Sequence, residues 1–287
     1  MRVAITGGSG LVGRFIVAGA VEAGHAVTLL ARRPPPDGLL PAGLPVLPYD
    51  LTAPPPDLSG QEALVHCAFA HQPGKYRGGE GDDPDGFLAA NRDGSLALFR
   101  AAKAAGLSAA VFLSTRAVYG DHPPGTLLTE DMPARPDTLY GRMKLEVEQG
   151  LAALSGDGFT GTSLRVTGVY GPGAPGQPHK WAGLFADYLA GRPVAPRVAT
   201  EVHGEDVADA VLTVLDRRAG GLFNVSDLLL DRHDLLATVR WLTGSDHPLP
   251  PRAEADRVNV MDCTRLMALD WHPGGLTRLA AALPEMI

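Results

Sequence analysis

The sequence predicts an α/β fold, namely a doubly wound parallel sheet followed by a small mixed C-terminal lobe that binds substrate. Strand-like and helix-like segments alternate through residues 1–170, which is typical of a sheet covered by helices on both faces. The strand segments are apolar throughout instead of alternating with polar residues, which indicates that both faces are buried. A glycine-rich turn at residues 7–13 joins the first strand to the first helix.

The elements follow from the apolar runs and from the residues that end them. In the first half we expect strands at residues 3–5, 26–30, 63–67, 109–113 and 162–166. Helices are expected between them at residues 11–23, 87–105 and 138–153, the last with Asp137 as N-cap. The second half is less regular, with helices expected at 181–190, 205–215, 232–243 and 262–269 and a strand at 221–225.

This alternation also suggests how the chain divides into domains. We place the first domain at residues 1–170 and expect further elements of its sheet at about residues 200–226. The substrate-binding lobe is then made of residues 171–199 and 227–287. A chain of 287 residues has room for one large domain and a smaller lobe of this kind.

Composition argues against several classes of function. A formal net charge of −7 leaves no basic surface of the kind that binds nucleic acid or an anionic membrane. No apolar run approaches the ~18 residues that a membrane-spanning helix needs. Cys67 and Cys263 lack metal-ligand spacing and fit free thiols in a reducing compartment. We therefore expect a cytoplasmic protein that acts on a small molecule and binds neither metal, nucleic acid nor membrane.

Gly7, Gly10 and Gly13 recur at a spacing of three residues between the first strand and the first helix. Because 35 of the 287 residues are glycine, this spacing alone is weak evidence, and a turn without a ligand is the plain alternative. The position of the turn strengthens it, since such a turn places a pyrophosphate on a helix N-terminus. The sequence therefore predicts a Rossmann-type dinucleotide site that also includes Leu11 and Val12.

The second predicted strand bears on the choice of dinucleotide. An acidic residue at its end would bind the adenosine ribose hydroxyls of NAD, but this chain has Ala31 followed by Arg32 and Arg33. A guanidinium there favours the 2′-phosphate of NADP. We predict that NADP(H) is preferred and keep NAD(H) as the alternative, in which the two arginines are merely solvated.

Tyr140 and Lys144 form a YxxxK pair on one face of a predicted helix. In a chain with six tyrosines and four lysines, chance gives such a pair only about 0.08 times. A nearby ammonium favours the phenolate of a tyrosine, so Tyr140 can exchange a proton with a substrate oxygen while a hydride moves. Thr115 follows a strand, where parallel sheets place their sites, and its hydroxyl can hold that oxygen.

Four segments together resemble the extended short-chain dehydrogenase/reductase family, also called the NAD-dependent epimerase/dehydratase family. They are TGGSGLVG at 6–13, LSTRAVYG at 113–120, YGRMK at 140–144 and LRVTGVYGPG at 164–173. The resemblance covers nearly the whole chain and is strongest up to about residue 175. It implies a catalytic Thr115, an acid/base Tyr140 and a Lys144 that holds the nicotinamide ribose.

The same resemblance implies further roles. It implies that one more residue, Asn91, belongs to the catalytic set, and that further cofactor contacts come from Asp50, Leu51, Cys67 and Ala68. It pairs a late histidine, His203, with Asp206, which we expect to cap the helix that follows it. It also implies a homodimer formed through the helices around residues 90–105 and 138–153.

Departures from the family pattern narrow the chemistry. Arg116 and Ala117 stand where sugar-nucleotide dehydratases carry an Asp-Glu pair, which disfavours elimination of water. Gly168 stands where nucleotide-sugar epimerases usually carry Asn, and about Ala199 they usually carry Arg. The absence of this Asn and Arg favours a substrate smaller than a nucleotide sugar, such as a polyol, uronate, ketone or aldehyde. Besides Arg116 and Gly168, His179 is a candidate substrate contact.

Three functions fit these observations. The leading one is an NAD(P)-dependent oxidoreductase that transfers a hydride between the nicotinamide and a hydroxyl or carbonyl carbon of a small, sugar-like or other carbonyl substrate. The second is a nucleotide-sugar 4-epimerase that uses the same Thr115, Tyr140 and Lys144 with no net redox change. The third is a non-catalytic dinucleotide sensor, for which an acid/base tyrosine has no use.

Overall fold

A computed structural model describes residues 1–72 and 79–287. Its main sheet is formed by the strands β1 Arg2–Thr6, β2 Ala26–Ala31, β3 Val46–Pro48, β4 Ala63–His66, β5 Ala109–Thr115, β6 Thr160–Val166 and β9 Gly221–Val225. All neighbours pair in parallel, in the order β3-β2-β1-β4-β5-β6-β9. The predicted doubly wound parallel sheet is thereby confirmed.

Nine α-helices are present in the described residues. They are α1 Gly13–Glu22, α2 Pro84–Leu88, α3 Gly94–Ala104, α4 Leu139–Leu154, α5 Ala182–Leu189, α6 Gly204–Asp216, α7 Arg232–Thr243, α8 Thr264–Met267 and α9 Gly275–Ala282. Among them, α1, α3, α4 and α6 cover the two faces of the main sheet. Successive strand residues point to opposite faces, so Val3 and Ile5 pack with α1 and α6, whereas Ala4 packs with α3 and α4. The uniformly apolar strands are explained by this burial on two sides.

A second, mixed sheet lies outside the main one. Its strands are β7 Gly168–Tyr170, β8 Val198–His203 and β10 Leu228–Asp231. Strand β8 is central, antiparallel to β10 and parallel to β7. Helices α5, α7 and α9 share an apolar cluster of their own, which contains Phe185, Leu236 and Leu279. These strands and α9 were not predicted from the sequence.

Helix boundaries differ from the sequence prediction at two caps and one interruption. Thr138, not Asp137, caps α4, because its hydroxyl accepts a hydrogen bond from the amide three residues on. His203, not Asp206, caps α6 through its Nδ1. Asp206 is fully buried and accepts a hydrogen bond from the Gly274 amide at 3.0 Å. The helix expected at 87–105 is divided by a π-helical turn at Ala89–Asp93.

Candidate active site

The glycine turn between β1 and α1 has no room for a side chain at Gly7 or at Gly13. Gly7 has a φ of +66°, and a methyl group added there would lie 2.6 Å from the Ala68 amide nitrogen. A methyl group on Gly13 would overlap the Gly7 carbonyl oxygen. Val12, the N-cap of α1, forms no side-chain hydrogen bond with the first amides of the helix. A tight turn that leaves helix amides to a ligand fits a pyrophosphate.

A loop that follows β7 covers this turn. The Gln177 side chain donates a hydrogen bond to the Ser9 carbonyl oxygen at 2.8 Å. From the other side, the Arg14 guanidinium donates to the Pro172 carbonyl oxygen. No local pattern indicates either contact, because the partners lie more than 150 residues apart.

The predicted adenosine end of the site lies at the carboxyl ends of β2 and β3. The Arg32 side chain is 79% exposed, and its Nε lies 3.8 Å from the Asp50 Oδ2. Hydrogen bonds from the hydroxyl and amide of Thr52 hold the pKa of Asp50 below its usual value. The charged Asp50 therefore competes with any bound phosphate for Arg32. Leu51 is buried beside these residues, whereas Arg33 is exposed.

A buried hydrogen-bond chain begins at the end of β1. The Thr6 hydroxyl oxygen accepts bonds from the amides of Cys67 and Ala68 at 3.2 and 3.1 Å. Its proton therefore points to the His66 Nδ1, 2.6 Å away. Burial lowers the pKa of His66 to about 3 and raises that of Cys67 to about 12. Both side chains are uncharged near neutral pH.

The chain continues to the π-helical turn. Because Nδ1 of His66 accepts a proton, its Nε2 carries one and donates it to the Ser95 hydroxyl oxygen at 2.8 Å. Ser95 in turn donates to the Asn91 carbonyl oxygen at 2.5 Å. The Asn91 side chain exchanges two bonds of 2.8 Å with the backbone of Ala70. Asn91 thus holds the loop after β4, and its catalytic role stays a prediction.

Thr115 and Tyr140 lie on neighbouring segments. Thr115 ends β5, and its hydroxyl oxygen accepts a hydrogen bond from the Ala117 amide at 3.2 Å. Tyr140 lies in the first turn of α4, with its ring centroid 5.1 Å from that of Phe69. The helix starts directly against the turn after Thr115, since a methyl group on Gly141 would lie 2.6 Å from the Ala117 carbonyl oxygen.

Lys144 lies one helical turn after Tyr140 and is buried. Its ammonium donates a hydrogen bond to the Leu113 carbonyl oxygen at 2.7 Å. Burial lowers the pKa of Lys144 to about 8, against the opposing effects of Cys67 and Glu148. Lys144 is therefore mostly charged at neutral pH.

The predicted substrate contacts Arg116 and His179 already have protein partners. The Arg116 Nη2 donates a hydrogen bond to the Asn259 carbonyl oxygen at 2.8 Å. The His179 ring centroid lies 5.3 Å from that of Phe185, in the apolar cluster of the second sheet. Their roles in substrate binding stay predictions.

Gly168, at the start of β7, is covered by an ion pair between Lys180 and Glu201. A methyl group on Gly168 would overlap the Lys180 ammonium and lie 2.6 Å from the Glu201 Oε2. Glu201 is 7% exposed and Lys180 28%. The pair borders a cavity of about 350 Å³ whose lining also includes Arg197 and Arg232. An asparagine at position 168 would require the ends of the Lys180 and Glu201 side chains to move.

Glu148, which is buried four residues after Lys144, was not predicted from the sequence. It lies between the apolar residues Val147 and Leu151, which are also buried. A carboxylate on the apolar face of a helix, four residues after a lysine, can be noticed in the sequence. It indicates a charged side chain that is buried together with a partner.

Together, the parallel sheet, the glycine turn and the Tyr140–Lys144 pair at its carboxyl edge define a class of nicotinamide-dinucleotide-dependent enzymes. The family model described as "NAD dependent epimerase/dehydratase family" matches residues 3–226, and the chain belongs to this family. Both the resemblance and the expectation of an enzyme are confirmed.

Relatives in this family differ in their activities. UDP-glucose 4-epimerase of Streptomyces lividans is 28% identical over 94% of this chain and 90% of its own length. The dTDP-6-deoxy-L-talose 4-dehydrogenase (NAD(P)(+)) of Kitasatospora kifunensis is 31% identical over 78% of this chain and 73% of its own. A 31% match to UDP-glucose 4-epimerase of Corynebacterium glutamicum covers 60% of this chain and 53% of that protein.

Solved structures agree with the fold. UDP-glucose 4-epimerase of Thermus thermophilus, in complex with NAD, superposes with a TM-score of 0.76 at 28% identity, covering 96% of this chain and 94% of its own. MoeE5, in complex with UDP-glucuronic acid and NAD, gives 0.79 at 25% identity, covering 98% and 97%. Both complexes contain NAD, so the predicted preference for NADP gains no support from them.

The described parts of the chain, residues 1–72 and 79–287, contain no helix long and apolar enough to cross a bilayer. Within the same ranges, no group of three or more histidine, cysteine or carboxylate side chains is placed to hold a metal ion.

Proposed function

We propose that the chain transfers a hydride between a nicotinamide cofactor and a hydroxyl or carbonyl carbon of a small, sugar-like or other carbonyl substrate. The main support is the buried Lys144, held by the Leu113 carbonyl oxygen one turn from Tyr140. When bound, the cofactor accepts or donates the hydride. Tyr140 exchanges a proton with the substrate oxygen, Lys144 favours its phenolate, and Thr115 holds that oxygen.

We further propose net oxidation or reduction of a substrate that lacks a nucleoside diphosphate. The Lys180–Glu201 pair supports this, because it fills the space beside Gly168 where nucleotide-sugar epimerases usually carry Asn.

A nucleotide-sugar 4-epimerase is the second candidate. The match to a UDP-glucose 4-epimerase over 94% of the chain favours it. The same Thr115, Tyr140 and Lys144 serve both reactions, and the difference lies in whether the cofactor changes its redox state after a complete turnover.

An assay of net reduced-nicotinamide absorbance separates the candidates. NAD(H) and NADP(H) are offered with free uronates, polyols, aldehydes, ketones and nucleotide sugars, and the products are examined for epimers. We expect a net signal with a free substrate. Conversion of a nucleotide sugar to its epimer with no net signal would establish the second candidate instead. Cofactor binding without any conversion would support the non-catalytic sensor.

The finer proposal that NADP(H) is preferred depends on Arg32 and Arg33. We expect the double change Arg32→Ala and Arg33→Ala to weaken NADP binding about tenfold and NAD binding less than about twofold, since only NADP carries the 2′-phosphate. Cofactor titration measures both affinities, with the exposed Arg142→Ala as a control. Equal weakening of NADP and NAD binding would contradict the preference for NADP. It would indicate that Arg32 pairs with Asp50 and not with the 2′-phosphate.

We also propose that residues 171–199 and 227–287 form the substrate lobe on the domain of residues 1–170, and that the protein acts in the cytoplasm. A homodimer through α3 and α4 is proposed from the family resemblance. Light scattering tests the dimer, and a monomer at assay concentration would contradict it.

A further inference from the structure

Glu148 lies on the same face of α4 as Lys144, one helical turn later. Its side chain is 3% exposed and has three hydrogen-bonding partner atoms. The Ser114 hydroxyl donates to Oε1 at 2.5 Å, and the Arg165 guanidinium donates from Nε to Oε1 at 3.1 Å and from Nη2 to Oε2 at 2.7 Å. Such a bidentate buried pair fixes a carboxylate in direction as well as position.

These contacts fasten α4 to the end of β5 at two successive points. The Leu113 carbonyl oxygen accepts a hydrogen bond from Lys144, and the next residue, Ser114, donates one to Glu148. Thr115 follows directly on the same strand. Two ties one helical turn apart fix both the height and the rotation of α4 relative to Thr115.

We propose that Glu148 is a positioning residue that holds the Lys144 ammonium in place and keeps it charged through its ties to β5 and β6. This role rests on the proposed function, because the charge of Lys144 matters only if Tyr140 exchanges a proton.

The charged groups around Lys144 single out Glu148. From the end of β4, His66 and Cys67 face the ammonium. Burial lowers the pKa of His66 to about 3 and raises that of Cys67 to about 12. His66 is uncharged where Lys144 titrates and offsets none of the cost of burying its ammonium, and Cys67, an uncharged thiol there, offers the ammonium no full negative charge.

Glu148, by contrast, brings a negative charge from α4 itself. Arg165 reaches the carboxylate from β6 and balances it, and Tyr140 lies one turn before Lys144 on the same helix. Neutralising Glu148 removes the attraction that favours the charged form of Lys144. The pKa of Lys144 should then fall further.

Two substitutions separate charge from position. Glu148→Gln keeps the length of the side chain and removes its charge, whereas Glu148→Asp keeps the charge and shortens the reach to Ser114. Because the chain has four lysines, a titration followed by NMR of ¹³Cε-labelled lysine resolves Lys144, with Lys144→Met giving the assignment.

We expect Glu148→Gln to lower the pKa of Lys144 by about one unit, a tenfold change in its proton equilibrium. The alkaline limb of the kcat/KM profile should move to lower pH by the same amount. For Glu148→Asp we expect a pKa near that of the wild type and a kcat about tenfold lower, because misplacement of a positioned group costs rate.

Glu148→Gln leaves the buried Arg165 without its partner, which is destabilising. The double variant Glu148→Gln with Arg165→Met removes both charges of the pair and avoids an unpaired buried guanidinium. Its Lys144 pKa should fall less than in Glu148→Gln, because loss of the Arg165 charge acts in the opposite direction. An unchanged Lys144 pKa in a folded variant would overturn the proposal. The NMR titration needs no turnover, so it stays informative even if the wild type shows no Tyr140-dependent activity, which would instead refute the proposed function.

Discussion

Replacing Tyr140 with phenylalanine is expected to lower kcat by ~10²- to 10⁴-fold, the range for loss of a general acid–base group, with cofactor affinity within about twofold of the wild type. Tyr140 lies in the first turn of α4, next to the turn after Thr115, and the buried Lys144 lies one helical turn later; in the proposed reaction its charge favours the phenolate. The phenylalanine ring keeps the packing against Phe69, so the loss is chemical. Steady-state kinetics and cofactor titration measure the two quantities separately.

Tyr188→Phe is the matched control for this experiment. Tyr188 is buried in the cluster of the second sheet, and its hydroxyl donates to the His247 carbonyl oxygen at 3.0 Å. We expect this variant to keep the kcat of the wild type. If Tyr140→Phe retained more than about a tenth of the activity, another group would have to carry the proton.

Replacing Gly13 with alanine is expected to weaken cofactor binding by up to ~100-fold, which corresponds to about 3 kcal/mol of strain. The added methyl group would overlap the Gly7 carbonyl oxygen. Relief of that overlap pushes the glycine turn away from the N-terminus of α1, where the pyrophosphate is expected. Cofactor titration measures the loss, and thermal unfolding shows whether the fold persists.

Gly183→Ala is the control for the Gly13 substitution. Gly183 also lies near the start of a helix, α5, but a methyl group there has no atom within 4 Å. We expect unchanged cofactor affinity and a gain in stability of ~0.5–1 kcal/mol, because alanine is the better helix former. A folded Gly13→Ala protein that binds cofactor like the wild type would refute the phosphate-binding role of this turn.

The main sheet was predictable because its strands carry their signal locally. Buried parallel strands are apolar runs, and the strand predicted at residues 221–225 matches β9. Strand β3 has three residues and ends at Pro48, and β7 has three and begins at Gly168. Such short segments become strands only by pairing with distant ones, so no local pattern predicts them.

The interruption of a predicted helix and the choice of helix N-caps depend on contacts between residues that are far apart in the sequence. The π-helical turn at Ala89–Asp93 accompanies the bonds between Asn91 and Ala70, which no spacing in the sequence indicates. Asp137 and Thr138 are both good N-caps, so composition could not choose between them. Asp206 accepts a bond from Gly274, 68 residues later, instead of capping α6.

In the candidate site, too, local spacings were predictable from the sequence, whereas contacts between distant residues were not. The spacing of Tyr140 and Lys144 is local, and α4 places both residues as expected. The partner of Arg32, by contrast, is Asp50 at the end of another strand, so the sequence suggested an arginine with no competing carboxylate. The ion pair of Lys180 with Glu201 beside Gly168 likewise needs two strands and a loop to meet.

Hydride transfer that requires Tyr140 is the central claim, and rapid mixing tests it most directly. Enzyme loaded with oxidised cofactor is mixed with the hydroxyl (reduced) form of the substrate found in the panel assay, and absorbance of the reduced nicotinamide is followed through the first turnover. We expect the absorbance to rise in the wild type and in Tyr188→Phe, and not in Tyr140→Phe. Substrate conversion by the wild type without reduced nicotinamide at any time, or an undiminished rise in Tyr140→Phe, would contradict the claim.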